Sequence, residues 1–294
     1  MPLCLLLLAL LFQDQAVFRT DVTLVRVDAE VRTANGPVSD LHRNSFHVTD
    51  NGLDQSIVYF AHDEQPLDVI LLFDTSNSMR PVVARVAEAA DMAMGGLRTG
   101  DRVAIMAFPP GTTDLIQDFT AELGAAERAV SENILQRKTR CCSPIQSAVG
   151  AAARQFFKQH AKDRQQPNRR RAIVVITDDR GTSAHRSAMR DLEEADAIVL
   201  GVIVRRRRGI PLPPYRGIRE FANQTGGDML DTRDAAEGVR EMLNRLRMRY
   251  SLYYALPSCQ PGERRTIRVE LTAEAEAGHP GAIVRARTGY SAPQ

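Results

Sequence analysis

The stretch VILLFDTSNSMRP, residues 69–81, joins an apolar run to one carboxylate and two hydroxyls. The apolar run ends at Asp74, and Ser76 and Ser78 follow at alternate positions. A continuous apolar run of this length is typical of a strand buried on both faces, as in a parallel sheet covered by helices. The D-x-S-x-S pattern therefore lies at the carboxyl end of a predicted buried strand, where open α/β sheets bind their ligands.

The centre of the chain repeats this arrangement of buried strand and helix. Further apolar runs predict strands over residues 103–108, 172–177 and 197–204. Apolar stripes predict helices over residues 81–97, 143–157, 187–195, 219–224 and 235–247. Alternating buried strands and amphipathic helices predict a doubly wound, mostly parallel, Rossmann-like α/β sheet over residues 67–247.

The segment before this α/β region is predicted to be β structure. Apolar and polar residues alternate over residues 22–32, which is typical of a half-buried strand. Within residues 46–60, Asn51 and Gly52 separate two strand-like runs. This dipeptide suits a type I′ turn, because both of its residues tolerate a positive φ, and it predicts a hairpin.

The segment after the α/β region is also predicted to be β structure. Its strands are predicted over residues 250–256, 267–271 and 283–290. A β segment as short as either flank buries little core by itself. We therefore expect residues 17–66 and 248–294 to pair into a β-sandwich, with the α/β domain inserted between its halves.

The N-terminus, residues 1–16, resembles a secretion signal. Residues 2–12 read PLCLLLLALLF, an apolar segment about as long as a signal-peptide core, with no Lys or Arg before it. We expect the protein to be exported to the periplasm, the cell surface or the medium, and the alternative is a buried first strand or helix. The net charge of the 294 residues is +2, which identifies neither nucleic acid nor membrane as a partner.

A second carboxylate is predicted to lie beside Asp74. Asp178 directly follows the predicted strand 172–177, and the carboxyl ends of parallel strands share one edge of a sheet. Carboxylate and hydroxyl oxygens are hard ligands of the kind that Mg²⁺ prefers. The pattern therefore predicts a Mg²⁺ site at this edge, with Mn²⁺ or Ca²⁺ as alternative ions.

These residues resemble a known motif. The D-x-S-x-S of Asp74, Ser76 and Ser78 is similar to the first element of the metal-ion-dependent adhesion site of von Willebrand factor type A domains. Asp178 resembles the aspartate that the same motif places at the end of a later strand. The resemblance implies a type A domain over residues 67–247.

The threonine element of that motif has a less regular counterpart. Residues 140–149, RCCSPIQSAV, resemble the family's G-G-T-x-L-x-x-A-L stretch, so that Ser143 takes the place of the threonine. Its hydroxyl can still bind a metal. Cys141 and Cys142 replace the usual glycines, which is a departure from the family pattern.

The resemblance also implies a role for each residue. Ser76, Ser78 and Ser143 would contact the metal directly, while Asp74 and Asp178 would hold metal-bound waters and the serines. The sixth position would accept an Asp or Glu of a partner protein. The implied function is an exported, non-enzymatic, Mg²⁺-dependent protein-binding module for adhesion or scaffolding.

The order of segments is similar to that of a specific family. A β segment, a type A domain and a closing β segment, over residues 18–293, resemble the exported bacterial proteins called VWFA-related Acidobacterial domain proteins. That family's function is poorly defined, so the resemblance predicts the order of the domains better than it predicts what the protein does.

Two other interpretations of the pattern remain open. An Asp followed by serines is often only a helix cap, which would make the chain a structural scaffold without a functional metal. Alternatively, Asp74 could be the nucleophile of a metal-assisted hydrolase or phosphotransferase. Haloacid-dehalogenase-like enzymes, which also place an Asp at a strand end, have D-x-D, and here residue 76 is Ser.

Overall fold

The computed structural model describes residues 23–62, 65–76, 79, 97–109, 112–129, 132, 145–162, 169–178, 186–204 and 217–293. Its strands are β1 (Leu24–Thr33), β2 (Gly36–Pro37), β3 (Phe46–Asp50), β4 (Leu53–Gln55), β5 (Ile57–His62), β6 (Leu67–Asp74), β7 (Arg102–Phe108), β8 (Asp114–Thr120), β9 (Arg170–Thr177), β10 (Ala197–Val204), β11 (Met229–Thr232), β12 (Tyr250–Ala255), β13 (Arg264–Leu271), β14 (Ile283–Arg285) and β15 (Gly289–Ser291). Its helices are α1 (Leu123–Ala129), α2 (Ile145–Lys162), α3 (Arg186–Ala195), α4 (Gly217–Thr225), α5 (Ala235–Arg247) and α6 (Ala273–Gly278), with a short 3₁₀ turn over Arg43–Ser45.

A six-stranded sheet forms the centre of the molecule. Its strand order is β11-β10-β9-β6-β7-β8, and every neighbouring pair is parallel except β7 and β8. The prediction of a mostly parallel sheet is therefore confirmed. The edge strands β8 and β11 are not predicted from the sequence, because their half-exposed residues form no continuous apolar run.

Helices pack on both faces of this sheet. Ile70 and Leu72 of β6 share an apolar cluster with residues of α2, α3 and α4. Val69, Leu71 and Phe73 of the same strand share a second cluster with residues of α5. The continuous apolar run that defines β6 is thus explained by burial on both faces. The helix predicted over residues 81–97 lies outside the described residues, apart from its last position.

The two flanks form two further antiparallel sheets. Their strand orders are β14-β1-β12-β5, with β2 beside β1, and β15-β13-β3-β4. Each sheet combines strands from both flanks, and residues such as Val27, Val48, Tyr250 and Ile267 share one apolar core. The prediction that the two flanks pair is therefore confirmed, because they share both sheets and one apolar core. The single strand predicted over residues 283–290 is instead two short strands in different sheets.

The predicted hairpin turn is present. Asn51 and Gly52 connect β3 to β4, and their φ angles are 49° and 79°. Two successive positive φ angles are the signature of a type I′ turn, which matches the right-handed twist of the paired strands.

The polar face of β1 is buried against the α/β domain. The alternation in this strand predicts that one face packs on the core and the other faces solvent. In the structure the polar face is buried as well, since Asp28 is only 8% exposed and Glu30 only 1%. Arg249, which is fully buried, lies 3.2 Å from Glu30, and Arg26 bonds Asp196 at 2.5 Å. The strand therefore forms an interface between the sandwich and the α/β domain.

Arg170 is the central donor of this interface. Its guanidinium donates to the carbonyls of Leu246 (2.7 Å) and Arg249 (3.1 Å) and to the hydroxyl of Ser251 (2.9 Å). Its Nε lies 3.3 Å from a carboxylate oxygen of Asp28. Leu246 lies in the last turn of α5, whose carbonyls have no partner within the helix. Arg170 thus connects β1, β9, β12 and the end of α5.

Candidate metal centre

Asp74 is the last residue of β6, a strand with β9 on one side and β7 on the other. The parallel register pairs Phe73 with Ile176 of β9 and Asp74 with Phe108 of β7. Both neighbouring strands therefore end at the level of Asp74. This places the carboxylate at the middle of the carboxyl edge of the sheet, where α/β folds bind ligands.

Both carboxylate oxygens of Asp74 accept a hydrogen bond. The backbone N–H of Ser76 donates to Oδ1 at 2.8 Å, and the hydroxyl of Thr177 donates to Oδ2 at 2.6 Å. Asp74 is 5% exposed. One bond comes from the loop after β6 and the other from the end of β9, so the carboxylate is held in a fixed orientation.

The loop after β6 turns sharply at Ser76. The backbone N–H of Met79 donates to the carbonyl of Ser76 at 3.0 Å, which closes a turn. Ser76 is buried beside Asp74. Ser78 and Ser143, the other two predicted hydroxyl ligands, lie outside the described residues, so their place at the site stays a prediction.

Asp178 is the second carboxylate of the site. It follows Thr177 at the end of β9 and is 6% exposed. Burial raises the pKa of Asp74 above its ordinary value, the hydrogen bonds from Thr177 and Ser76 lower it in part, and the nearby charge of Asp178 raises it further. The structure thus brings Asp74, Ser76 and Asp178 together, as the sequence predicts.

The described residues fit a hard cation. Two buried carboxylates whose charges repel each other are stabilised by a positive charge between them. Next to Asp74 in sequence, the buried hydroxyl of Thr75 has no hydrogen-bond partner among the described residues. All of these donors are oxygens, the ligands that Mg²⁺, Mn²⁺ and Ca²⁺ take. Across the described part of the chain, no three or more His, Cys, Asp or Glu residues form a group that could hold a metal ion.

The role of Thr177 is not predicted from the sequence. Its hydroxyl orients the Asp74 carboxylate, although its neighbour Asp178 was singled out instead. The sequence feature that could have indicated this contact is that Asp74 and Thr177 are each the last residue of a predicted strand. If the two strands are parallel neighbours, these two side chains can meet. That inference needs the strand order, which the sequence does not supply.

The fold and the site define an open, doubly wound α/β domain with a cluster of oxygen-bearing side chains at the carboxyl end of its central strand β6. Residues 69–181 match the family model of the von Willebrand factor type A domain. This part of the chain is therefore similar to a von Willebrand factor type A domain over those residues. A search of curated proteins gave no match to the chain.

Several solved structures resemble this one. An aerotolerance-related membrane protein from Bacteroides fragilis is 16% identical, with a TM-score of 0.47, over 61% of this chain and 98% of that one. A von Willebrand factor type A protein from Catenulispora acidiphila is 12% identical, with a TM-score of 0.48, over 94% of this chain and 75% of that one.

A third similar structure is proximal thread matrix protein 1 from the mussel byssus with a zinc-occupied adhesion motif. It is 12% identical, with a TM-score of 0.44, over 63% of this chain and 48% of that one. Because these identities and TM-scores are low, the resemblance to a type A domain rests on the sequence match over residues 69–181.

Proposed function

We propose that this protein is a metal-dependent protein-binding module that captures an acidic side chain of a partner. The observation that carries this proposal is the convergence of Asp74, Ser76 and Asp178 at the carboxyl edge of the type A domain. The metal is Mg²⁺ in this proposal, with Mn²⁺ and Ca²⁺ as alternatives.

Five residues would hold the metal. Ser76, Ser78 and Ser143 would bind it through their hydroxyls, and Asp74 and Asp178 would act through bound waters and through the serines. When bound, the metal supplies a strong electrophile for an incoming carboxylate, because few protein anions contact it directly. Thr177 supports the site by fixing the carboxylate of Asp74.

The proposed activity is binding rather than catalysis. Among the described residues, the groups around Asp74 are hydroxyls, one backbone N–H and a second carboxylate, and the oxygens of this set suit metal coordination. A hydrolase or phosphotransferase would also need a general base and a route for its leaving group. Release of phosphate from a generic ester, abolished in Asp74→Asn, would favour that alternative.

Export is part of the proposal. It rests on the apolar N-terminal residues 2–12, which lie outside the described residues, and on the resemblance to the exported Acidobacterial family. Over the described ranges, no helix is both apolar enough and long enough to cross a membrane. Detection of the protein in periplasmic or culture-medium fractions tests this part of the proposal.

The binding proposal is tested with Mn²⁺ as a probe. Water-proton relaxation should rise when Mn²⁺ binds the natural chain and should stay at the free-ion level with Asp74→Asn. Adding a short peptide that carries one Asp should then lower the relaxation, because its carboxylate displaces a bound water. The control is the same peptide with Asn in place of Asp, and both peptides have an amidated C-terminus so that the Asp side chain is the only carboxylate.

Two outcomes would contradict the binding proposal. Absence of relaxation enhancement in the natural chain would leave a scaffold without a functional metal. Equal effects of the Asp and Asn peptides would show that the metal does not select carboxylates.

A further inference from the structure

A cleft lies between helices α3 and α4 and the sandwich, and neither Asp74 nor Asp178 lines it. It is lined by Arg186, Arg190 and Glu193 of α3, Glu220 and Gln224 of α4, and Arg264 of β13. Its volume is about 370 Å³, within the range of small-molecule sites. Because α3 and β13 belong to different layers, a molecule in this cleft would touch both the type A domain and the sandwich.

The cleft carries a net positive charge, because three arginines and two glutamates line it. Arg186 and Arg190 are exposed, and neither makes an ion pair or hydrogen bond with any described residue. They are four residues apart in α3, so they lie on one helix face and repel each other. This repulsion weakens the helix, although Glu194, four residues after Arg190, offsets part of it.

The acidic residues of the cleft are already engaged. Glu193 is 12% exposed, is paired with Arg264 from across the cleft, and accepts a hydrogen bond from Ser291 at 3.4 Å. Glu220 accepts a hydrogen bond from Gln224 of its own helix at 3.4 Å. The Glu193–Arg264 pair fixes the wall of the cleft and leaves the two guanidinium groups of α3 facing solvent.

We infer that this cleft is a binding site for a small organic anion that carries carboxylate or phosphate groups. Guanidinium groups form paired, charge-assisted hydrogen bonds with both kinds of group. An anion between Arg186 and Arg190 would remove their repulsion, and the rest of the molecule would fill the cleft toward Arg264. The site is separate from Asp74 and needs no metal.

The experiment is calorimetric titration of the full chain with inorganic phosphate and with citrate, in EDTA at constant ionic strength. The natural chain should bind at least one of them. The variant R186Q/R190Q should bind about tenfold or more weakly, since it loses charged hydrogen bonds. R268Q is the matched control, because Arg268 is 72% exposed on the same strand as Arg264 and pairs only with Glu270 among the described residues.

Each result decides the question. Binding of phosphate alone indicates a phosphate ester as the natural ligand, and binding of citrate alone indicates a polycarboxylate. Failure of both anions to bind, or equal binding by R186Q/R190Q and the natural chain, overturns the inference. The thermal midpoint of R186Q/R190Q without anion should equal or exceed that of the natural chain, because like charges have been removed. A lowered midpoint would instead indicate a structural role for the two arginines and would also overturn it.

Discussion

At the scale of single residues, the candidate metal centre depends on how Asp74 is held. Its two oxygens accept bonds from two different elements, the loop after β6 and the end of β9. The sequence was sufficient to select Asp74, Ser76 and Asp178, because their residue types and their positions after apolar runs can be read directly from the sequence. The bond from Thr177 was not predictable, because it depends on which strand lies beside β6.

Thr177→Val tests the positioning role of the hydroxyl. Val has nearly the same shape but donates no hydrogen bond, so Oδ2 of the buried Asp74 loses its partner. We expect metal affinity to fall, and the unfolding free energy of the metal-free protein to fall by about 1–3 kcal/mol. Mn²⁺ titration and urea unfolding measure the two effects.

Thr177→Ser is the control for that variant, because it keeps the hydroxyl. Its metal affinity should stay close to that of the natural chain. If Thr177→Val binds Mn²⁺ as tightly as Thr177→Ser does, then Thr177 does not position Asp74 for metal binding.

At the scale of elements, β1 shows what a sequence pattern can and cannot predict. Its period of two correctly predicted a strand with one apolar face. Its polar face was expected to meet water but instead meets the end of α5 and the start of β9, through Asp28, Arg170 and Arg249. Polar residues that face a second domain and polar residues that face water have the same pattern in sequence.

Asp28 should make stability depend on pH in the acid range. Burial alone would raise the pKa of Asp28, but Arg170 and Arg26 outweigh it and lower the pKa to about 2. Since this value is below the ordinary 3.8, the stabilising contribution is complete above about pH 4 and is lost as the pH falls toward 2. The shift corresponds to about 2 kcal/mol.

Asp28→Asn measures this contribution by urea unfolding at a series of pH values. The difference in unfolding free energy between the natural chain and the variant should be largest above about pH 4 and should shrink toward pH 2. Asp54→Asn, at a side chain that is 82% exposed, is the matched control in the sandwich and should show little difference. A difference that is constant from pH 2 to 6 would contradict the role given to Asp28.

At the scale of the whole molecule, the candidate site and the sandwich lie at opposite edges of the central sheet. Strand β6 ends at Asp74 on one edge, while Asp68 near its start bonds Arg169 (2.6 Å) and Arg102 (2.7 Å) on the other. The order of segments along the chain was predictable from composition and periodicity. The edge of the sheet that the sandwich occupies was not predictable, because it depends on buried polar contacts between residues distant in sequence, such as Arg170 with Ser251.

The most direct test of the metal-site claim is thermal unfolding of the natural chain and of Asp74→Asn in EDTA, Mg²⁺ and Mn²⁺. An ion that binds only the folded state must stabilise it, by about 2.7 kcal/mol at a hundred times its Kd. A metal site at Asp74 predicts a higher midpoint with Mg²⁺ or Mn²⁺ for the natural chain and no such rise for Asp74→Asn. No rise in the natural chain, or an equal rise in both, would contradict it and would leave D-x-S-x-S as a helix cap.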